Sequence, residues 1–288
     1  MIEAVGPLPP ADRRSAFSNA PMGIALTTVE GVLVDANPAL CRMLGRSPDE
    51  LYGRSVLDLV QAESVTAARE AYQTLVDDPG RPMRHETRLR RSEGTDVPVQ
   101  VTASRVEENE GQSAHLVMIV EDITERKALE AALVHRSLHD PLTGLPNRLL
   151  FQDRLWHALE RGRRENTPTC VLIADLDGFK AINDQLGHPR GDLVLVTFAE
   201  RLRSVLRASD TAARLGGDEF SVVCENTEPA DADILAERLQ ASVTEPLPLS
   251  GATVSIGLSI GIGSVAGGLE PADVYERVVR GWAADQQR

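Results

Sequence analysis

Two glycines followed by two acids, Gly216-Gly217-Asp218-Glu219, stand between an apolar segment ending at Leu215 and another opening at Phe220. A Gly-Gly pair between two strand-like runs reads as the turn of a β-hairpin, which carries the acids to an exposed tip. Upstream, the apolar run Thr169 to Ala174 has the length of a buried strand and stops at Asp175-Leu176-Asp177. If the hairpin pairs beside that strand, Asp175 and Asp218 meet at one sheet edge. Carboxylates that close raise each other's pKa unless a cation neutralises them, and hard-oxygen Mg²⁺ is the natural partner. Gly216 and Gly217, without side chains, let a bulky ligand reach the backbone. An acidic turn taken alone is usually a solvated loop, so the reading depends on what surrounds it.

The remainder of 139–288 alternates helical and strand periods. Phe151, Leu155, Ala158 and Leu159 share one helical face, with Gly162 as the expected stop. Leu195, Ala199, Leu202 and Leu206 line another helix, Asp233 to Val243 a further one, and Val254 to Ile262 a glycine-containing strand region. The first half reads differently, as short strands with turn signals. Asn37-Pro38 opens a helix carrying Leu40, Met43 and Leu44, ended by Gly45; Val97, Val99 and Val101 alternate as in a half-buried strand. Between the halves, Asp122 caps a helix rich in Ala, Leu, Glu and Lys. Leu129 and Leu133 give it one i,i+4 apolar pair, compatible with a plain connector or with a two-stranded lever between paired subunits. The expected organisation is a loose tail over 1–14, an α+β domain over 15–121, a linker helix over 122–138 and a second domain over 139–288.

Composition narrows the functions available. Of 288 residues, 43 are Asp or Glu and 30 Lys or Arg, a net charge of −13, which argues against nucleic acid or an anionic membrane surface as partner. Aromatics at 3% leave few platforms for stacking on single strands. No apolar run approaches the ~20 residues a spanning helix needs, and no secretory signal opens the chain, so no membrane insertion and a cytoplasmic location are expected. Cys41, Cys170 and Cys224 are far apart and form no C-x-x-C pair.

The motifs resemble a known family. Gly216-Gly217-Asp218-Glu219-Phe220 is the signature of GGDEF diguanylate cyclases. His139-Asp140-Pro141-Leu142-Thr143-Gly144-Leu145-Pro146-Asn147-Arg148 is similar to that family's opening motif. The stretch from Asp175 through Phe179, Lys180, Asn183 and Asp184 to His188, Gly191 and Asp192 is similar to its nucleotide-binding segment, and Ser259-Ile260-Gly261 to its late strand. Several patterns in the right order outweigh one five-letter match. The resemblance implies a polymerase-palm-like α/β domain with a mainly antiparallel sheet, condensing two GTP into cyclic di-GMP with release of two pyrophosphates. Asp175, Asp218 and the Leu176 carbonyl would hold Mg²⁺. Catalysis would rest on Asp218, Glu219 and Lys180, with Asp218 as base and Lys180 facing the phosphates. Asn183, His188, Asp192, Gly216 and Gly217 would bind substrate. Because one domain holds one GTP, a homodimer follows.

Arg207-Ala-Ser-Asp210 reads on its own as an i,i+3 ion pair at a helix end. In the family, R-x-x-D at this offset resembles an inhibitory product site, with Arg238 as a second basic contact. One stretch departs from the pattern: the usual last helix ends in basic residues, whereas here Gln286 falls at the Lys position and only Arg280 or Arg288 could substitute. That departure keeps a non-catalytic receptor of GTP or cyclic di-GMP as the alternative.

The first domain resembles a PAS sensor. The resemblance rests on Phe17 to Ala25, on Gly31 to Leu40 with Asn37-Pro38, on Leu44 to Arg54, and on an exit at Asp122-Ile123-Thr124-Glu125-Arg126. Its ligand is not legible: the flavin-type N-C-R-F-L-Q pattern is absent, and His85 and His115 read as structural histidines before haem ligands.

Overall fold

The computed structural model describes residues 9–78, 80–106, 114–244, 246–249, 252–265 and 274. The chain divides into two compact units, Met1–Ala131 and Ala132–Arg288. Among the described residues no helix is long and apolar enough to cross a membrane.

In the first unit, helix α1 (Pro10–Asn19) begins inside the stretch expected to be a loose tail. Proline suits a first helical position: its φ is preset, and the N–H it lacks would have had no partner there. Strands β1 (Gly23–Thr28) and β2 (Leu33–Ala36) are followed by helices α2 (Pro38–Leu44), α3 (Pro48–Leu51) and α4 (Val65–Asp77). Strands β3 (Met83–Arg90), β4 (Asp96–Val106) and β5 (His115–Asp122) complete an antiparallel sheet of order β2-β1-β5-β4-β3. Alternation puts Val97, Val99, Val101 and Ala103 of β4, and Leu116, Met118 and Val120 of β5, into the core with Leu40, Leu44 and Leu75 from the helices.

Asn37 ties this unit together. Its side-chain oxygen accepts from the N–H groups of Ile24 and Leu40, both at 2.9 Å, so it caps α2 and pins β1 at once. Its amide donates to the carbonyls of Phe17 at 3.1 Å and Met22 at 2.9 Å. A fully buried polar side chain is stable only when satisfied in this way. As read from sequence, Gly45 ends α2 in the left-handed region, at φ 63°.

Helix α5 (Thr124–Leu138) starts where Asp122 Oδ1 accepts from the Thr124 N–H at 2.8 Å. Its first turn is held electrostatically: Glu86 of β3 contacts both Arg126 and Lys127 at 2.6 Å. Those two cations hold the Glu86 carboxyl down at about 2. Leu129, Leu133 and Val134 are exposed.

The second unit is built on a sheet of order β11-β6-β8-β7, antiparallel at every described pairing. In chain order it contains α6 (Arg148–Glu165), β6 (Thr169–Asp177), α7 (Phe179–Leu186), α8 (His188–Val205), β7 (Thr211–Gly216) and β8 (Glu219–Cys224). Helix α9 (Pro229–Thr244), the small hairpin β9 (Leu247–Leu249) and β10 (Ala252–Val254), and β11 (Gly257–Val265) follow. Strand β6 is buried on both faces. Val171 and Ile173 pack with Phe151, Leu155 and Leu159 of α6, while Leu172, Ala174 and Leu176 pack with Phe198 and Leu202 of α8 and Leu239 of α9. Phe198 meets Phe220 edge to face at 4.7 Å.

Two local expectations are revised. Gly162 does not stop α6, which runs on to a left-handed Asn166. Gly162 instead lies where a Cβ would stand 2.6 Å from the Thr167 carbonyl, so glycine is required for close packing. The late strand region is broken rather than continuous, with β10 separate from β11. Arg280, Gln286 and Arg288 lie outside the described residues.

Removing the Asn37 side chain leaves several buried backbone groups unpaired. Asn37→Ala is expected to destabilise the first unit by about 2–4 kcal/mol. The full chain should show a lower urea midpoint at unchanged slope; an unshifted midpoint would mean that water replaces those bonds.

Candidate active site

The hairpin predicted around Gly216-Gly217 forms, with Gly216 opposite Glu219 and Gly217-Asp218 as the two-residue loop. Its second strand, β8, pairs directly with β6 in a register that sets Asp175 opposite Glu219. On the other side of β6, Ser259 of β11 stands opposite Asp175 and Gly257 opposite Asp177. Because alternate residues share a face, Asp175, Asp177, Glu219 and Ser259 project from one side of the sheet at its end, with Asp218 one residue further along the turn. Burial, followed by the charges of Asp218, Asp177 and Glu219, raises the Asp175 carboxyl to about 6.

The donor set fits a metal of one kind. Among the described residues no group of three or more His, Cys, Asp or Glu side chains could enclose an ion without help. Mg²⁺ typically takes one or two carboxylates and completes its shell with substrate phosphates and water. A half-buried Asp175, made less acidic by burial and then by its neighbours, beside a likewise part-exposed Asp218, suits an ion brought in with a phosphate.

Sequence reading alone missed the residues that hold the tip in place. Arg214 of β7 donates from Nε and Nη2 to the Gly217 carbonyl, at 2.9 and 2.7 Å. Its Nη1 contacts both carboxylate oxygens of Asp140, at 3.0 and 3.1 Å. Asp140 Oδ1 also accepts from the N–H of Thr143 at 2.8 Å and from its hydroxyl at 2.7 Å. One guanidinium therefore joins the His139–Arg148 loop to the Gly-Gly turn. Arg148, the first residue of α6, reaches Glu219 at 3.4 Å. Ser259 donates to Asp177 at 2.6 Å. The signal available was local: an Asp with Thr three residues on forms an Asx-type turn, and an arginine next to a Gly-Gly turn can serve its bare carbonyls.

Of the other expected residues, Lys180 is exposed on the first turn of α7. Asn183 on α7 and Gly191 on α8 are so close that a Cβ on Gly191 would collide with Asn183 Oδ1. Asp192, the next residue after Gly191, is exposed, as is His188 at the start of α8. Gly216 and Gly217 have positive φ, 148° and 54°, and a Cβ on either would meet nothing within 4 Å. The turn needs glycine for its backbone and leaves open space in front of it.

Arg207 and Asp210 form a turn in place of the expected side-chain ion pair. The Arg207 N–H donates to Asp210 Oδ2 at 3.0 Å, and the Asp210 N–H donates to the Arg207 carbonyl at 3.0 Å. Arg207, Asp210 and Arg238 border one cavity, at whose rim Arg238 Nη2 donates to the Val205 carbonyl at 3.1 Å.

The clamp gives a pH-dependent prediction. Burial pushes the Asp140 carboxyl up, but hydrogen bonds from Thr143 and Arg214 outweigh it and leave the pKa lowered. A carboxyl depressed on folding stabilises above the usual carboxylate range, and that stabilisation is lost as pH falls through the folded value. The pair is only 12% and 18% exposed, so solvent screens it incompletely. Asp140→Asn is expected to lower the thermal midpoint of the full chain by roughly 2–4 °C at pH 7, corresponding to about 1 kcal/mol. The gap should narrow below about pH 4; a gap independent of pH would exclude charge pairing as its cause.

Comparison with known proteins agrees with this geometry. Residues 137–280 match the family described as "Diguanylate cyclase, GGDEF domain", and residues 21–125 match the PAS domain family. The bifunctional diguanylate cyclase/cyclic di-GMP phosphodiesterase MucR of Pseudomonas aeruginosa is 52% identical over 130 residues, covering 45% of this chain and 19% of that protein. The chain likewise spans only about a third or less of the length of the other curated relatives. The solved GGDEF domain of TpbB from P. aeruginosa is 44% identical with a TM-score of 0.50, over 52% of this chain and 90% of that one. The coiled coil and GGDEF domain of DgcB from Caulobacter crescentus, solved with cyclic di-GMP, gives 27% identity and a TM-score of 0.53, over 57% and 87%. With its signature at the tip of the β7–β8 hairpin and a PAS domain ahead of it, the chain belongs to the GGDEF family.

Proposed function

We propose that this chain condenses two GTP molecules into cyclic di-GMP and releases two pyrophosphates. The observation that carries the reading is the convergence of Asp175, Asp218 and Glu219 at the end of β6, beside a glycine turn open to a ligand.

In this reading Asp175, Asp218 and the Leu176 carbonyl hold Mg²⁺. When bound, the ion would ease deprotonation of the 3′-hydroxyl and offset charge at the α-phosphate. Asp218 accepts the hydroxyl proton, with Glu219 next to it fixed by Arg148. The 3′-oxygen of each GTP bonds to the α-phosphorus of the other, and the bond to pyrophosphate breaks. Lys180 faces the phosphates. Asp192 accepts from the N1–H and N2–H₂ donors of guanine, a pattern that adenine does not offer, with Asn183 alongside and His188 nearby. Each domain presents one nucleotide, so two copies must face each other as a homodimer. We assign control of that approach to the PAS domain, and product feedback to the cavity bordered by Arg207, Asp210 and Arg238.

A second reading, a receptor that binds GTP or cyclic di-GMP without turnover, is favoured by one feature: Gln286 stands where the family pattern has a Lys. The two separate cleanly. Purified full-length protein, freed of bound nucleotide and incubated with GTP and Mg²⁺, should yield cyclic di-GMP by chromatography; dimeric protein that yields none would be a receptor. Asp218→Ala should reduce turnover by at least ~10²-fold, and undiminished product formation would refute the metal and base assignments. Arg207→Ala should raise the concentration of cyclic di-GMP needed for half-inhibition by roughly 10-fold or more, the worth of one charge-assisted bond. An unmoved inhibition curve would place feedback elsewhere.

A further inference from the structure

Asp177 has no part in the chemistry proposed above, yet the sheet builds a seat for it. It lies two residues beyond Asp175 on β6 and projects from the same face. Across the ladder, Ser259 of β11 stands opposite Asp175, and Gly257 opposite Asp177. The Ser259 hydroxyl nevertheless donates diagonally, to Asp177 Oδ1 at 2.6 Å. The other carboxylate oxygen, Oδ2, lies over Gly257, where a Cβ would collide with it. Both contacts draw the Asp177 carboxylate toward β11. Glu219 flanks Asp175 from the opposite neighbour, β8, so the two acids stand to either side of it.

This placement is near Asp175 without touching it. Among the described residues no three such side chains are grouped tightly enough to enclose an ion. Same-face neighbours along a strand lie about 6.6 Å apart. The charge of Asp177 still reaches the site, since after burial and Asp218 it is the next cause of the raised Asp175 carboxyl. Asp177 is exposed, and Mg²⁺ bound through one or two carboxylates keeps several waters of its own. A carboxylate fixed one water away accepts from such a water and adds negative charge without entering the shell. Resting on the reading of the site given above, we propose that Asp177 is a positioning residue for the metal ion. It accepts a hydrogen bond from a water that the ion carries, and Ser259 and Gly257 hold its carboxylate at the distance this needs. A direct ligand would have to leave Ser259 and swing back toward Asp175. A residue that merely joined β6 to β11 would affect stability and leave metal affinity alone.

The test uses the full-length chain with Mn²⁺ in place of Mg²⁺ and with 3′-deoxyguanosine triphosphate. That nucleotide lacks the attacking hydroxyl, so binding is read without turnover. Mn²⁺ uptake is followed by electron paramagnetic resonance at saturating nucleotide. Asp177→Asn keeps the shape and an oxygen for Ser259 but removes the charge. It is expected to weaken Mn²⁺ about tenfold, the loss usual for an outer-shell partner. The number of waters on the ion, read as line broadening in water enriched in a magnetic oxygen isotope, should stay the same. Ser259→Ala should weaken Mn²⁺ severalfold, and Ser259→Thr, which keeps the hydroxyl, should bind as the wild type does. The proposal is overturned if Asp177→Asn binds Mn²⁺ like the wild type, if it gains a water on the ion, or if Ser259→Ala changes nothing. Wild-type protein that takes up no Mn²⁺ beside the nucleotide would overturn the underlying reading of the site as well. Uptake that is lost in Asp175→Ala but unchanged in Asp177→Asn would overturn this proposal alone.

Discussion

The antiparallel register between β6 and β8 is the constraint on which the candidate site depends. With Asp175 opposite Glu219, the sheet end gathers its carboxylates on one face and leaves the other to Phe220, Val222 and the α8–α9 core. A slip of one residue would turn Asp175 into that core and Ala174 out of it, so hydrophobic burial fixes the chemistry. The same alternation explains why Asp177 meets Ser259 and why Glu219 meets Arg148, residues far apart in the chain. Placed together, the acids are electrostatically unfavourable by themselves, and their charges add to burial in raising the Asp175 carboxyl. The core elsewhere in the unit holds them there, leaving a site disposed to take up positive charge.

Much of this was legible in the sequence because it depends on local rules. The Gly-Gly turn, the buried run ended by Asp175, the Asn37-Pro38 helix start and the alternating valines of β4 each follow from two or three neighbouring residues. The meeting of Asp175 with the hairpin needed only the assumption that neighbouring strands pair. What escaped was the long-range polar wiring. Arg214 reads as one more strand residue until its carbonyl and carboxylate partners are known, and Asp140 lies 74 positions away. Gly162 misled for a related reason: its effect comes from the approach of Thr167 rather than from its own helical preference. Proline-rich sequence before α1 suggested a tail, although proline at a first helical turn starts helices as readily as it ends them.

The PAS and GGDEF units solve the buried-polar problem in contrasting ways. In the first unit, Asn37 uses its oxygen and its amide fully and becomes a structural rivet. In the second unit, Arg214 directs its guanidinium to the carbonyl of a turn and the carboxylate of a loop, and so holds those two segments together. Close packing also dictates residue identity: Gly191 admits Asn183 because it has no side chain of its own.

The Glu86, Arg126 and Lys127 cluster has a consequence for how α5 leaves the sheet. Its charges are solvent-exposed, so dissolved ions compete with them directly, over a screening length of about 8 Å at physiological ionic strength. The root of the helix is thus fastened by a contact that salinity can slacken, while the strands beneath it, joined by backbone bonds and buried valines, stay indifferent to the same change.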